Sequence, residues 1–127
     1  MDFEEWLDIG HDALAGAGAC QRNRNWRSVV SRSYYAMFAA TTGVLRGTGL
    51  APPAARQTWS HKNLPRLVEQ HLKPQFGGRA FDVKRMLSSG YKDRLVADYS
   101  SGLTVDEAVA RRCLTNASSV LRMMGRR

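Results

Sequence analysis

The side chains best equipped for chemistry lie in three short stretches. Ser31 to Thr41 reads SRSYYAMFAAT and sets Arg32 beside the pair Tyr34 and Tyr35. Arg56 to His61 reads RQTWSH, an arginine followed by a histidine. Tyr91 to Gly102 reads YKDRLVADYSSG and carries Arg94, Asp98 and Tyr99. A guanidinium is a permanent cation whose N–H fork matches phosphate or carboxylate. A tyrosine adds a hydroxyl and a ring face for stacking, and an imidazole titrates near neutral pH. The combination suits recognition of an anion flanked by aromatic groups.

Each stretch also has a plainer reading. Adjacent helical residues diverge by about 100°, so if Tyr34 faces inward, Tyr35 faces elsewhere. Arg32 then either snorkels to solvent or, with Tyr35, faces an anionic ligand or acidic partner. Arg94 and Asp98 stand four apart and can pair on a helix, a surface contact of only ~0.3–0.5 kcal/mol. Alternatively, Arg94, Asp98 and Tyr99 stand rigidly in the last turns of a helix, beside a Ser-Ser-Gly break, at the mouth of a groove. Arg56 and His61 form a literal R-x4-H, a spacing that any basic sequence produces by chance. His61 stands at an expected helix start, where the dipole favours a neutral ring. His71 reads as half-buried and His11 as solvent-facing.

Five segments must position these groups. Asp2 to about Cys20 has Phe3, Trp6, Leu7, Ile9, Ala13 and Leu14 at helical spacing, with acidic residues in the first turn, where the dipole welcomes them. About Asn25 to Arg46 is apolar around much of its circumference and reads as the central helix. Ala36, Ala39, Ala40 and Gly43 would let a neighbouring helix approach closely. Arg46 to Ser60, with Gly47, Gly49, Pro52 and Pro53, reads as a loop, of a length that is often functional. About His61 to Lys73 is a shorter helix with Ser60 or Asn63 as its cap, ended by Pro74 and Gly77-Gly78. About Arg79 to Tyr99 is a fourth helix, with Phe81, Val83, Leu87, Tyr91, Leu95 and Asp98 near one face. Thr104 to Glu107, TVDE, reads as a capping box opening a fifth helix, with Val105, Ala108, Val109, Cys113, Ala117, Val120 and Met124 inside. Arg126-Arg127 reads as a frayed end. Nothing alternates with period two. The fold class is therefore all-α: an up-and-down four-helix bundle with an additional short helix, in a single domain over residues 1–127.

Composition narrows the function classes. The chain has 127 residues and a net charge of +8. The first twenty residues carry −5, which leaves +13 on the rest, and 15 of the 19 basic residues are arginine. Such a surface suits a polyanion such as RNA, or an acidic protein. No apolar run approaches the ~20 residues of a membrane span. The acidic start lacks a signal-peptide pattern, so a cytoplasmic location is expected. Cys20 and Cys113 form no metal or redox motif and read as buried thiols. Phosphate-loop, dinucleotide, zinc-protease and serine-hydrolase motifs are missing, so neither cofactor nor metal is expected.

The run RSYYAMFAAT on a central helix, a histidine at the start of the next helix, and RLVADY late in the fourth resemble the HEPN domain (higher eukaryotes and prokaryotes nucleotide-binding). The likeness is to its small stand-alone prokaryotic branch with R-x-x-x-D-Y, and it covers about Trp26 to Val120. The resemblance implies a helical bundle, a homodimer, and often a nucleotidyltransferase-fold antitoxin partner in toxin–antitoxin modules. It also implies RNA or nucleotide as ligand. Catalytic members are metal-independent endoribonucleases with an R-x4–6-H motif, whose arginine holds the scissile phosphate while the histidine assists attack by the 2′-hydroxyl.

Here the chain departs from the family pattern. After Arg94 the positions expected to hold histidine are Tyr99, Ser100 and Ser101. Arg94 carries over as a phosphate-binding candidate. The proton-handling role falls to Asp98, Tyr99 or, from the neighbouring helix, His61. An ordinary Tyr pKa near 10 makes Tyr99 a poor base, and in some family members a tyrosine is instead modified by the partner. Arg32, Tyr35 and Tyr34 complete the expected ligand site. The alternative function is a non-catalytic helical module that docks a nucleotidyltransferase-type partner.

Overall fold

The computed structural model describes residues 1–125; the expected fraying of Arg126-Arg127 lies outside them. Five helices follow one another: α1 (Phe3–Arg22), α2 (Trp26–Gly47), α3 (Leu64–Phe76), α4 (Gly78–Tyr99) and α5 (Glu107–Met124). Among the described residues there are no strands. Four helices are long and α3 is the short one, as the periodicity predicts. No helix of the described residues is long and apolar enough to cross a membrane.

Central α2 packs against α1, α4 and α5, and from Ala36 to Leu45 every residue is buried. Its small residues set the α1 contact. A Cβ added at Gly43 would lie 2.6 Å from the Trp6 Cβ, and one at Gly10 would lie 3.1 Å from the Ala36 carbonyl. Gly10 thus sits against Ala36 and Ala40, and Gly43 against Trp6 and Phe3, so a glycine on each helix admits the other.

Several boundaries differ from expectation. Asp2 and Glu5 form a reciprocal capping box on α1, so the acidic first turn also supplies hydrogen bonds. At α5 the cap is Asp106, whose side chain accepts from the Val109 N–H; Thr104 stands two residues too early. Helix α3 begins at Leu64, after a turn in which the Ser60 hydroxyl accepts from the Asn63 N–H. It runs through Pro74 and stops at Gly77, whose φ of +60° favours glycine. The inward row of α4 is Ala80, Val83, Leu87, Gly90, Arg94 and Ala97. Phe81 and Leu95, expected inside, are exposed. Gly90 lets α4 sit against Met37 and Tyr34 of α2. The shift in phase carries Arg94 from the expected surface into the wall of the bundle. The segment from Thr48 to Asn63 folds back onto the bundle and is anchored by Trp59, which is buried in the main core.

Candidate functional site

Helices α2 and α4 run antiparallel, and their seam gathers the polar and aromatic groups. Arg94 lies at its middle, only 9% exposed. Its Nε donates to the Asp98 carboxylate at 3.1 Å. Its guanidinium carbon lies 4.9 Å from the centre of the Tyr35 ring and 5.9 Å from that of Tyr99. The cation is thus held between a carboxylate and two electron-rich ring faces, each ring contact contributing about 0.5–1 kcal/mol or more. Asp98 also accepts from the Ser31 hydroxyl at 3.3 Å. The pair is therefore a part-buried node joining both helices, stronger than an isolated surface contact.

One turn further along, Tyr34 is fully buried and its hydroxyl lies 2.7 Å from His61 Nδ1. The imidazole stacks on Tyr91, with centroids 5.0 Å apart and planes 9° from parallel, and packs against Phe38 at 4.7 Å. Burial pushes the Tyr34 pKa far above the ordinary phenol value, with the Arg94 charge opposing it. Burial first, and the Arg94 charge second, lower that of His61. His61 is therefore neutral near pH 7, because of its surroundings rather than a helix dipole. When the Tyr34 hydroxyl donates to Nδ1, the ring proton sits on Nε2, and in that tautomer His61 is a hydrogen-bond donor toward the groove rather than a base.

In front of this pair lies an open groove of about 480 Å³, lined by Tyr35, Phe38, Trp59, His61 and Tyr91, with Arg56, Lys62, Thr58 and Ser60 around them. Its size is that of a small-molecule site. Ring faces with two flanking cations form a surface for a planar group bearing negative charge.

The seven expected residues therefore divide. Arg94, Asp98, Tyr99 and Tyr35 meet at the node. Tyr34 and His61 form the adjoining pair, linked to it by the Tyr34–Tyr35 edge contact at 5.9 Å. Arg32 is exposed beyond the node, its Nη1 reaching to within 2.7 Å of where a Cβ on Gly16 would stand. Arg56, in the chance R-x4-H, does line the groove, although no contact joins it to Arg94.

Sequence reasoning missed Trp59, Tyr91, Phe38 and Arg27 as parts of this region. Arg27 donates through Nη1 to the carbonyls of Val96 and Ala97, and through Nη2 to those of Ser100 and Leu103. It caps the C-terminal end of α4, which has no basic residue in its own last turn. That deficit was the available signal, since free carbonyls at a helix end attract cations. Among the described residues no three His, Cys, Asp or Glu side chains gather to hold a metal ion.

Fold and site together define an all-helical bundle with an aromatic and cationic groove on its α2–α4 seam. The HEPN domain family matches residues 3–127, nearly the whole chain, and the protein belongs to that family. No curated protein and no solved structure shows a significant match.

Proposed function

We propose that this HEPN-domain protein binds RNA or a nucleotide in the aromatic groove, as the toxin-like half of a toxin–antitoxin or defence module. The observation that supports it most is the groove itself: five rings, two flanking cations and a neutral histidine N–H donor. Bases stack on such rings without regard to sequence, each worth about 1–3 kcal/mol, and phosphate meets Arg56 or Lys62. The basic surface adds long-range attraction. Leu95 and Tyr99 are exposed one turn apart on α4, and Tyr99 and exposed Tyr35 both lie against Arg94; this apolar face suits a second copy of the chain, which would place two grooves and two Arg94 nodes together.

Metal-independent endoribonuclease activity is the catalytic form of this proposal. It requires 2′-hydroxyl attack with Arg94 stabilising phosphate charge, and Asp98 or Tyr99 handling the proton. Fluorescence anisotropy with a labelled RNA oligomer at low salt tests binding, and gel analysis of the same RNA tests cleavage. Binding that weakens steeply with salt and falls about tenfold or more in Tyr91→Ala is the expected result. RNA that remains intact and unbound at low salt refutes the proposal.

A second reading is a non-catalytic module that docks a nucleotidyltransferase-type partner. It is favoured by the engagement of Arg94, whose carboxylate partner and two covering rings leave little of it exposed. Under that reading Arg94→Ala leaves partner binding intact.

A further inference from the structure

A second pocket, of about 280 Å³, lies on the other side of the Arg94–Asp98 node. It is lined by Arg27, Ser28, Ser31, Arg32, Ala97 and Asp98. We infer that it is a phosphate subsite, so that the ligand spans the node as at least two linked nucleotides of a single strand. The inference rests on the proposed reading of the aromatic groove and deepens it.

Three observations carry it. The first is alignment. Tyr35 lines the aromatic groove and Ser31, one turn earlier on α2, lines the second pocket. Four helical residues rise about 6 Å, comparable to the step between neighbouring nucleotides in an extended strand. The two pockets thus lie along one seam, with Arg94 and Tyr99 between them.

The second is donor chemistry. Arg32 makes no hydrogen bond or ion pair among the described residues and is exposed at the pocket edge. Ser28 supplies a further hydroxyl. Arg27 has both terminal nitrogens committed to the backbone of α4, so it contributes a fixed positive charge without offering those donors. The third is charge balance. Asp98 is the single carboxylate in the lining, and it is already engaged by Arg94 and by the Ser31 hydroxyl. The pocket therefore holds two arginine charges against one compensated carboxylate, a field suited to phosphate. A mononucleotide fills one pocket; a linked pair fills both, and the second contact is gained at high effective concentration.

Competition anisotropy with UMP, the 5′-phosphorylated dinucleotide pUpU and a 5′-labelled U6 oligomer tests this, using wild type, Arg32→Ala and Tyr91→Ala. The expected result is that pUpU and U6 bind at least tenfold more tightly than UMP. Arg32→Ala should remove most of that advantage and lower the salt slope for U6 by about one, while UMP binding stays as in wild type. Tyr91→Ala should weaken all three ligands. If UMP and pUpU bind equally and Arg32→Ala leaves U6 unchanged, the subsite is refuted and the aromatic groove stands. If none of the three binds at low salt, the groove reading fails and takes the subsite with it. Arg32 is exposed, so its truncation leaves the core intact; an unchanged circular dichroism spectrum and unfolding midpoint verify this.

Discussion

Truncating Arg27 to alanine should destabilise the protein substantially although the residue belongs to no apolar core. Its guanidinium holds four carbonyls at and beyond the C-terminal end of α4. Three of those bonds, to Val96, Ala97 and Ser100, are partly buried, and the fourth, to Leu103, is exposed. Bonds to a charged donor contribute about 1.5–3 kcal/mol when fully buried. Solvent takes over the Leu103 carbonyl after truncation and partly compensates the others. About 1 kcal/mol for each of the three gives a loss of roughly 3 kcal/mol, or a fall of about 10 °C in Tm at this chain length. Arg27→Lys keeps the charge but loses the fork, and should recover less than half of that. Urea and thermal unfolding followed by circular dichroism give the global loss. Hydrogen exchange should show the largest local effect at the amides of residues 98–106, because α2 would no longer hold the α4 terminus. A loss below about 0.5 kcal/mol, the range of ordinary surface substitutions, would refute the clamp. So would a lysine variant as stable as wild type, since charge rather than geometry would then account for the contact.

Three further outcomes are expected. Gly43→Ala should cost about 1–3 kcal/mol by urea unfolding, because its Cβ meets the Trp6 Cβ, part of a helix rather than a movable side-chain tip; an unchanged midpoint would show that α1 can shift away freely. His61 should titrate below its ordinary value of about 6.5 in an NMR pH series. Because the unfolded ring binds its proton first as pH falls, stability should decrease between that value and the lowered folded midpoint, and His61→Gln should remove this part of the pH dependence; a midpoint at or above 6.5 contradicts the burial argument. Tyr34→Phe should cost about 1 kcal/mol, because it removes the hydroxyl that pairs with the part-buried Nδ1 of His61, and unchanged stability with an unchanged His61 midpoint would show that the 2.7 Å contact is not a working hydrogen bond.

The legible parts of this chain were those written in apolar spacing. α2 carries so many apolar and small residues that its burial follows from pattern alone, and Tyr34 in and Tyr35 out follow from the helical period. α4 was harder. Its apolar residues point several ways, so Phe81 and Leu95 suggested a face that is in fact exposed, while Gly90 and Arg94 on the inward row gave no hydrophobic signal. Arg27 was hard to place for a different reason: the absence of a basic residue from the last turn of α4 called for a cation without saying which one. Its partners are backbone carbonyls, which every residue has, so no side chain elsewhere marks the contact. Trp59 lay in a proline- and glycine-rich segment where only its size hinted at an anchor.

The node also bears on what the seam can do. Binding and catalysis make opposite demands on Arg94. A cation that stabilises a developing phosphate charge must reach the reacting group, yet this one is turned toward Asp98 and covered by Tyr35 and Tyr99. Asp98 shares its carboxylate with Ser31, and His61, committed through Nδ1 to Tyr34, presents a proton rather than a lone pair. In the arrangement described, Asp98 and His61 Nδ1 are already engaged, whereas the Tyr35 ring at the groove and the guanidinium of Arg32 are exposed. Tyr99, 72% exposed at the last turn of α4, is the piece whose displacement would uncover Arg94. Recognition therefore needs only the seam as it stands, and cleavage needs Tyr99 to swing away.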